Sequence, residues 1–246
     1  MLLVDIGNTR VKSAWYEYGA LAAWPSIATR GEAVFAAWPV EHLPAAPARV
    51  LVSNVAGSGV AGHLAEFVHA QWGIEAEFVR PQRSRCGMHT RYREPLRLGV
   101  DRWLAALAAW HDEDGAVCVI DVGTALTADI VTADGKHLGG LIAPGPELMR
   151  ESLTRGTADL ACDALADVAG FADNTADAIS LGCTLATGGL LAAVHTRLRD
   201  VPGCAEAAWY LTGGGAAYLL PYIDWPCAQV PDLVLRGLAL IAEEDA

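Results

Sequence analysis

The sequence is poor in basic side chains. Seventeen arginines and lysines stand against 29 aspartates and glutamates, which gives a formal net charge of −12 at pH 7. A negative field of this size repels nucleic acid and anionic membrane surfaces. We therefore expect neither a nucleic-acid partner nor attachment to a membrane surface.

The six cysteines contain no closely spaced pair. Neighbouring cysteines lie at least 21 positions apart, which excludes a CxxC zinc site or dithiol motif. The first apolar residues follow no basic stretch and are interrupted by Asp5, unlike a signal peptide. We expect reduced thiols, mostly in the core, and a cytoplasmic protein.

One long run lacks charge altogether. Residues 178–194 carry no charged side chain, close to the ~18 apolar residues that suggest a membrane span. Three glycines, one serine and two threonines dilute the hydrophobicity of the run. We predict a buried helix in which small residues allow close packing.

The sequence also lacks the GK[ST] ending of a P-loop, so any nucleotide must be bound by another fold. A formal GxGxxG occurs at Gly57, Gly59 and Gly62, after a predicted strand at residues 50–54. That fingerprint normally follows the first strand of a βαβ unit, where this sequence has a hairpin. We interpret it as a strand-to-helix loop and keep a dinucleotide site as the minor alternative.

What the sequence does contain is an internal repeat. VDIGNT near the N-terminus and VIDVGT near the middle both end an apolar strand in Asp-x-Gly, and an apolar strand returns after each. Three residue pairs share an offset of 116 positions (121 − 5, 123 − 7 and 135 − 19): Asp5 with Asp121, Gly7 with Gly123, and Gly19 with Gly135. Each copy predicts a β-hairpin with a glycine turn. The repeat predicts two related domains, which we place at residues 1–115 and 116–246.

The two turns carry groups that suit a polyphosphate. Glycine allows close approach of the backbone, and the Asn8, Thr9 and Thr124 side chains can donate to phosphate oxygens. The aspartates, being negative, would act through a cation or its water shell. Lys12 lies within reach of the first turn. A single copy would more often be a polar hairpin turn and the lysine a solvated edge residue, but the pair favours two turns that clamp one polyphosphate.

Basic residues are concentrated in one segment. Seven of the seventeen lie between positions 80 and 102: Arg80, Arg83, Arg85, Arg91, Arg93, Arg97 and Arg102. Such a cluster would attract a small acidic substrate, although individual arginines can equally be surface residues paired with acids. Asp101 lies at the start of a predicted helix, where it either stabilises the helix N-terminus or accepts a hydroxyl proton during phosphoryl transfer.

Together with further glycine-rich motifs, these features resemble the type III pantothenate kinases nearly end to end. The resemblance rests on DIGNTRVK, Tyr92 before LGVDRW, IDVGTALTAD, GGLIAPG, NTADAI, LTGGGA and LVLRGLALIA. It implies an α/β fold of two ribonuclease H-like, actin-like ATPase domains, with mixed sheets flanked by helices. It also implies ATP-dependent phosphorylation of pantothenate to 4′-phosphopantothenate, the first step of coenzyme A biosynthesis.

The resemblance further implies residue roles. The ATP-binding residues would be Asp5, Ile6, Gly7, Asn8, Thr9, Arg10, Val11, Lys12 and Thr124, and the pantothenate-binding residues Tyr92, Gly99, Val100, Asp101, Arg102 and Thr175. Asp101 would be the catalytic proton acceptor. Asp121 would bind the potassium or ammonium ion that the family needs besides Mg²⁺, which Asp5 would hold through water. Family members are homodimers, commonly with the substrate site near the subunit interface. Residues 89–91 depart from the family pattern, and residues 161–172 align with no known pattern.

Two other functions stay open. One is a non-catalytic nucleotide-binding regulator, which the three aspartates of the motifs disfavour. The other is another small-molecule kinase of the superfamily of actin, heat-shock chaperones and sugar kinases, for which the arginine cluster disfavours a neutral substrate. No role for Asp129 follows from the sequence.

Overall fold

The structure is a computed structural model that describes residues 1–29, 35, 38, 40, 43–156, 162–166, 168 and 170–245. The chain is divided into two units. Unit 1 consists of Met1–His111 and the C-terminal segment that begins at Asp232, and unit 2 consists of Asp112–Pro231.

The sheet of unit 1 forms around the first strand of the sequence. It contains β1 (Leu2–Ile6), β2 (Arg10–Glu17), β3 (Ala20–Ala23), β4 (Ile27–Ala28), β5 (Val50–Asn54) and β6 (Ala76–Phe78). The strand order is β3-β2-β1-β5-β6, with β4 beside β2. All five residues of β1 are buried, as expected for a central strand covered on both faces. The first glycine turn therefore leaves from the rigid centre of the sheet.

Helices and a short hairpin complete this part of the chain. The helix α1 (Ser58–Trp72) connects β5 to β6, and its Leu64 and Val68 pack with the alternate β1 residues Leu2, Val4 and Ile6. The hairpin of β7 (Ser84–Arg85) and β8 (Met88–Thr90) follows, and a 3₁₀ turn leads into α2 (Val100–His111). Because side chains alternate along a strand, Leu3 and Asp5 point to the face opposite α1.

Unit 2 repeats the same arrangement. Its elements are β9 (Val117–Val122), β10 (Ala125–Val131), β11 (Lys136–Pro144), α3 (Pro146–Gly156), α4 (Thr175–Leu198), β12 (Ala208–Thr212), α5 (Ala216–Leu219) and β13 (Ala228–Gln229). The strand order β11-β10-β9-β12-β13 matches β3-β2-β1-β5-β6, with antiparallel and parallel neighbours in the same places. The internal repeat and the two-domain α/β fold predicted from it are confirmed.

The two hairpins differ by one residue at each end. In the first, Ile6 pairs with Val11 across a four-residue turn, whereas Val122 pairs with Leu126 across a three-residue turn. The turn after β10, where the Thr132 amide donates to the Lys136 carbonyl, encloses three residues, one more than the turn between Glu17 and Ala20. The constant offset of 116 therefore holds at the glycines but not within the return strands.

The last helix, α6 (Leu233–Glu244), belongs to unit 1 although it follows the last strand of unit 2. It packs against α2 at Gly237, where an added Cβ would lie 2.8 Å from the Leu104 Cβ and closer still to the Leu104 carbonyl. By order in the repeat, α6 follows β13 as α2 follows β6. The two structural units therefore differ from the predicted domains, residues 1–115 and 116–246, mainly because α6 belongs to unit 1.

The uncharged run lies in α4, which is long and apolar enough to cross a membrane by length and composition alone. In the structure, 44% of its most apolar stretch is buried inside the chain. Leu191, Val194 and Leu198 belong to the core of unit 2, and Gly188 lies against Tyr222, where an added Cβ would come within 2.9 Å. One side of the helix is therefore buried with close packing, as predicted.

All six cysteines are free, and four of them are buried. Burial raises the pKa of Cys86 and of Cys227 to about 11. The prediction that the thiols lie mostly in the core is confirmed.

Candidate functional site

The first glycine turn begins at a buried carboxylate. Asp5 is 7% exposed, and its Oδ1 accepts a hydrogen bond of 3.0 Å from the Ser53 hydroxyl on β5. The Gly7 amide donates to the Arg10 carbonyl at 3.0 Å and closes the turn. Lys12 is the direct partner of Asp5 in the β1–β2 register, so the two side chains lie on the same face of the sheet.

The predicted ATP-binding residues of this turn divide into two groups. Ile6 and Val11 are buried in the core and can offer only their backbone, whereas Asn8, Thr9 and Arg10 are exposed. One supporting residue was not predicted. The Thr29 hydroxyl donates to the Gly7 carbonyl at 2.8 Å, and its amide donates to the Thr9 carbonyl at 3.0 Å. Thr29 therefore fixes the turn from the side, which no local sequence signal indicated.

The predicted substrate segment forms the entry to α2. The Trp103 amide donates to the Gly99 carbonyl, and the Asp101 Oδ1 accepts a hydrogen bond of 2.8 Å from the Arg102 amide. A Cβ added to Gly99 would lie 2.6 Å from that oxygen. The glycine thus leaves the space that the half-buried Asp101 carboxylate occupies, and Val100 is buried behind it.

Arg102 and Tyr92 are brought together, as the sequence motif predicted. Arg102 is 7% exposed, and its Nη1 donates to the Tyr92 hydroxyl at 3.1 Å. The guanidinium carbon lies 5.9 Å from the centre of the tyrosine ring, within the range of a cation–π interaction. A buried guanidinium, a phenol and the adjacent Asp101 carboxylate therefore form one polar group in unit 1.

The remaining arginines of the cluster have different environments. Arg83 donates to backbone carbonyls, Arg85 pairs with Glu244 and Asp245, and Arg97 pairs with Glu94 at 2.9 Å. Arg80, Arg91 and Arg93 are exposed. Arg85 and Arg97 are therefore paired with acids, whereas Arg83 binds main-chain carbonyls.

The second glycine turn carries an aspartate with oxygen-bearing neighbours. Asp121 pairs with Thr127 on β10 and with Thr212 on β12, so the three side chains lie on one face of the sheet. The Gly123 amide donates to the Ala125 carbonyl at 2.9 Å and closes the turn. Thr124, the predicted ATP contact, is exposed at its tip.

Glycines from two distant motifs enclose this turn. The Gly145 amide of GGLIAPG donates to the Thr124 carbonyl at 2.9 Å, and the Gly215 amide of LTGGGA donates to the Val122 carbonyl at 2.8 Å. An added Cβ on Gly213, at φ +90°, would come within 2.5 Å of the Val122 carbonyl oxygen and closer to the Asp121 Oδ1. These glycines position the turn, and only their clustering in the sequence hinted at such a role.

The donors in both turns suit hard cations. Within the described ranges, no three His, Cys, Asp or Glu side chains come together as a metal site. Carboxylate and hydroxyl oxygens such as those of Asp121, Thr127 and Thr212 are ligands for ions such as magnesium or potassium rather than for zinc.

Thr175 is the first residue of α4, in unit 2. The helix is capped by Asn174, whose Oδ1 accepts a hydrogen bond of 3.0 Å from the Asp177 amide. Thr175 also lines a groove of about 530 Å³ between α3 and α4, with Met149, Ser152, Leu153, Ala178, Ile179, Gly182 and Cys183. The lining of the groove is largely apolar.

Asp129 lies on β10, and its side chain is buried. Its carboxylate lies 2.9 Å from the His137 Nε2, and the two side chains are 2% and 0% exposed. The residue thus contributes to a buried polar pair between β10 and β11.

Comparisons with known proteins agree on one family. The family model of type III pantothenate kinases matches residues 1–197. The type III pantothenate kinase of Aromatoleum aromaticum is 37% identical over 252 residues, covering 100% of this chain and 99% of its own. That of Chromobacterium violaceum is 39% identical over 241 residues, covering 98% of each chain.

Solved structures show the same fold at lower identity. A Campylobacter jejuni protein, described as a candidate Baf family transcriptional activator, aligns with a TM-score of 0.56 at 23% identity and covers 100% of this chain and 98% of its own. A candidate 2-dehydro-3-deoxygalactonokinase from Sinorhizobium meliloti aligns with a TM-score of 0.52 at 17% identity, with coverage of 99% and 96%. At these identities the likeness concerns the fold alone.

Proposed function

This chain belongs to the type III pantothenate kinase family, and we propose that it catalyses the ATP-dependent phosphorylation of pantothenate to 4′-phosphopantothenate, the first step of coenzyme A biosynthesis. The observation that supports this on the chain's own residues is the polar group at the start of α2, formed by Asp101, Arg102 and Tyr92. Pantothenate carries both a primary hydroxyl and a carboxylate. A carboxylate base beside a buried guanidinium matches these two groups.

In the proposed reaction, Asp101 accepts the proton of the primary hydroxyl while the hydroxyl oxygen bonds to the γ-phosphorus of ATP. The bond from that phosphorus to the β–γ bridging oxygen breaks, and ADP leaves. Arg102 binds the substrate carboxylate, for which its planar fork is suited. The Tyr92 hydroxyl, the Gly99–Val100 backbone and the Thr175 hydroxyl hold the rest of the substrate.

The nucleotide contacts are assigned to the turn residues. The exposed turn residues 8–10, with the Asn8 and Thr9 side chains, and the Lys12 ammonium bind phosphate oxygens, with Thr124 as a further hydroxyl contact. Mg²⁺, when bound with ATP, neutralises charge on the phosphates, and Asp5 would hold it through water. Asp121, with Thr127 and Thr212, would hold potassium or ammonium.

An ATP-consumption assay tests the substrate. Purified protein is incubated with ATP, Mg²⁺ and K⁺, and with either pantothenate or a panel of hexoses and N-acetylhexosamines. We expect ADP release with pantothenate alone, and mass spectrometry should show the product 80 Da heavier, which is the mass of an added PO₃H group. Turnover of a sugar instead would establish another kinase of the superfamily. ATP binding without turnover of any acceptor would establish the regulator.

The monovalent cation is tested separately. Activity should depend on K⁺ or NH₄⁺, the ions that the family resemblance implies, and be low in buffers whose only monovalent cation is Na⁺. Full activity with Na⁺ alone would remove this role of Asp121.

We also propose a homodimer in the cytoplasm, with no nucleic acid or membrane as partner. The helices α3 and α4 leave apolar side chains in solvent, with Leu153 41% and Leu185 48% exposed, and the net charge of −12 disfavours nucleic acid. Light scattering should give twice the chain mass of 25.9 kDa. A Leu185→Glu variant should shift toward the monomer, and a monomeric wild type would contradict the proposal.

A further inference from the structure

We propose that Arg83 is a positioning residue of the substrate site, because its guanidinium fixes the backbone that carries Tyr92. The inference rests on the proposed function, in which Tyr92 contacts the substrate. Arg83 lies outside the LGVDRW motif and makes no side-chain contact with Asp101 or Arg102 among the hydrogen bonds found for it. Its effect would therefore be transmitted only through the main chain of residues 90–93.

The contacts of Arg83 all converge on this short segment. Its Nη1 donates to the Thr90 carbonyl at 3.0 Å and to the Tyr92 carbonyl at 2.6 Å, and its Nη2 donates to the Arg93 carbonyl at 2.9 Å. The Arg83 carbonyl accepts a hydrogen bond of 3.0 Å from the Thr90 amide. Both the main chain and the side chain of one residue thus hold the segment in place.

The chemistry of this contact requires a guanidinium. Three carbonyl oxygens at different positions can be satisfied by the rigid fork of N–H donors in arginine, whereas the point charge of a lysine ammonium cannot span them. The segment is also supported from within, since the Tyr92 amide donates to the Thr90 hydroxyl at 3.2 Å. Thr90 is 2% exposed, so this inner support is anchored in the core.

The segment in turn determines where the Tyr92 hydroxyl meets Arg102. That contact is a single hydrogen bond of 3.1 Å, and a displacement of about 1 Å in a substrate-positioning group can cost up to ~100-fold in rate. Arg83 itself is exposed. Its removal opens no cavity, and the freed carbonyls can bind water, so the loss should fall on substrate binding rather than on folding.

The experiment compares Arg83→Ala and Arg83→Lys with Arg49→Ala as the matched control. Arg49 is also an arginine of unit 1 with an engaged guanidinium, which donates to Glu77 at 2.9 and 2.7 Å but not to residues 90–93. We expect both Arg83 variants to raise the KM for pantothenate roughly tenfold or more, with the KM for ATP within about twofold. Arg49→Ala should leave both KM values unchanged. Added guanidinium ion should partly restore Arg83→Ala but not Arg49→Ala.

Hydrogen exchange at the Tyr92 amide provides a readout independent of turnover. The amide should exchange faster in Arg83→Ala than in wild type or Arg49→Ala, because its bond to Thr90 is no longer supported. A wild-type exchange rate together with a wild-type KM would overturn the proposal, as would an equal rise in both KM values. If the wild type does not phosphorylate pantothenate, the proposed function fails, while the exchange rate still tests whether Arg83 positions the segment.

Discussion

Replacing Gly213 with alanine tests how the second glycine turn is held. The residue has φ +90°, and an added Cβ would lie 2.5 Å from the Val122 carbonyl oxygen and closer to the Asp121 Oδ1. An L-residue at such a φ costs about 1–3 kcal/mol, and overpacking a filled space costs about another 1–3 kcal/mol. The carbonyl belongs to the hydrogen-bonded turn and cannot move freely, so both costs should apply.

The expected loss of stability is therefore roughly 2–6 kcal/mol. For a chain of this size, each kcal/mol lowers the unfolding midpoint by about 2–4 °C, so a decrease of at least ~4 °C should be seen by differential scanning calorimetry. Gly214→Ala is the control, since an added Cβ there meets no heavy atom within 4 Å. That variant should melt within about 2 °C of wild type, as a surface substitution usually does.

The same substitution should also change the cation dependence. An alanine methyl would push the Asp121 carboxylate from its position, so the K⁺ concentration for half-maximal activity should increase in Gly213→Ala. Equal melting temperatures for the Gly213 and Gly214 variants would refute the steric argument. An unchanged K⁺ dependence in a destabilised Gly213→Ala would separate the turn from the proposed cation site.

Three other substitutions test separate parts of unit 1. Asp101→Asn should lower kcat by about 10²–10⁴-fold in the ATP-consumption assay while the KM for ATP changes little, because the amide cannot accept the hydroxyl proton; near-normal turnover would exclude it as the base. Gly237→Ala should lower the denaturant midpoint markedly, since a Cβ would overlap the Leu104 backbone, and a wild-type midpoint would contradict the close packing of α2 and α6. Burial and the hydrogen bond to Glu243 raise the pKa of Tyr16 to about 12, so the folded state keeps a proton that the unfolded state loses above its ordinary pKa near 10. The free energy of unfolding should therefore fall between about pH 10 and 12. In urea titrations over that range, Tyr16→Phe should show a smaller fall than the wild type, and equal falls would show that Tyr16 is not responsible.

Much of the fold could be predicted from the repeat in the sequence. An Asp-x-Gly turn recurring at a fixed offset indicates two copies of one hairpin, and the strand orders confirm it. The position of α6 could not be predicted in this way. Its apolar residues show that it is buried but not which sheet it covers, and that choice depends on the fit of Gly237 against Leu104.

Asp101 and Arg102 were candidates from residue type and position, whereas Tyr92 was a candidate only through the family resemblance. Asp101, Arg102 and Tyr92 do lie together at the start of α2. The arginine cluster alone could not show which of its members are buried. Arg102 is buried, whereas Arg83 is exposed and donates to main-chain carbonyls such as that of Tyr92. Every residue has a backbone carbonyl, so the sequence does not indicate which carbonyls accept hydrogen bonds from an arginine.

Glycine spacing was also an incomplete guide. An added Cβ on Gly57, Gly59 or Gly62, the glycines of the formal GxGxxG, would meet no heavy atom within 4 Å. Gly145 lies in GGLIAPG and Gly213 in LTGGGA. An added Cβ on either glycine would collide with the backbone of the second turn. What matters physically is whether φ is positive, as at Gly57 and Gly213, or whether a Cβ would collide with something fixed, and the sequence contains neither.

The one-residue difference between the two hairpins gives the copies different chemistry. In the first, the strand pairing places Lys12 opposite Asp5; in the second, it places Thr127 opposite Asp121. A carboxylate with an ammonium group on the same face is already partly neutralised, and the ammonium is suited to phosphate oxygens. A carboxylate with a hydroxyl in that place keeps its charge and gains an oxygen ligand, which favours a cation. The longer first turn also presents Asn8 and Thr9 where the second presents Thr124 alone, and this difference supports the proposal that the first turn binds phosphate and the second a cation.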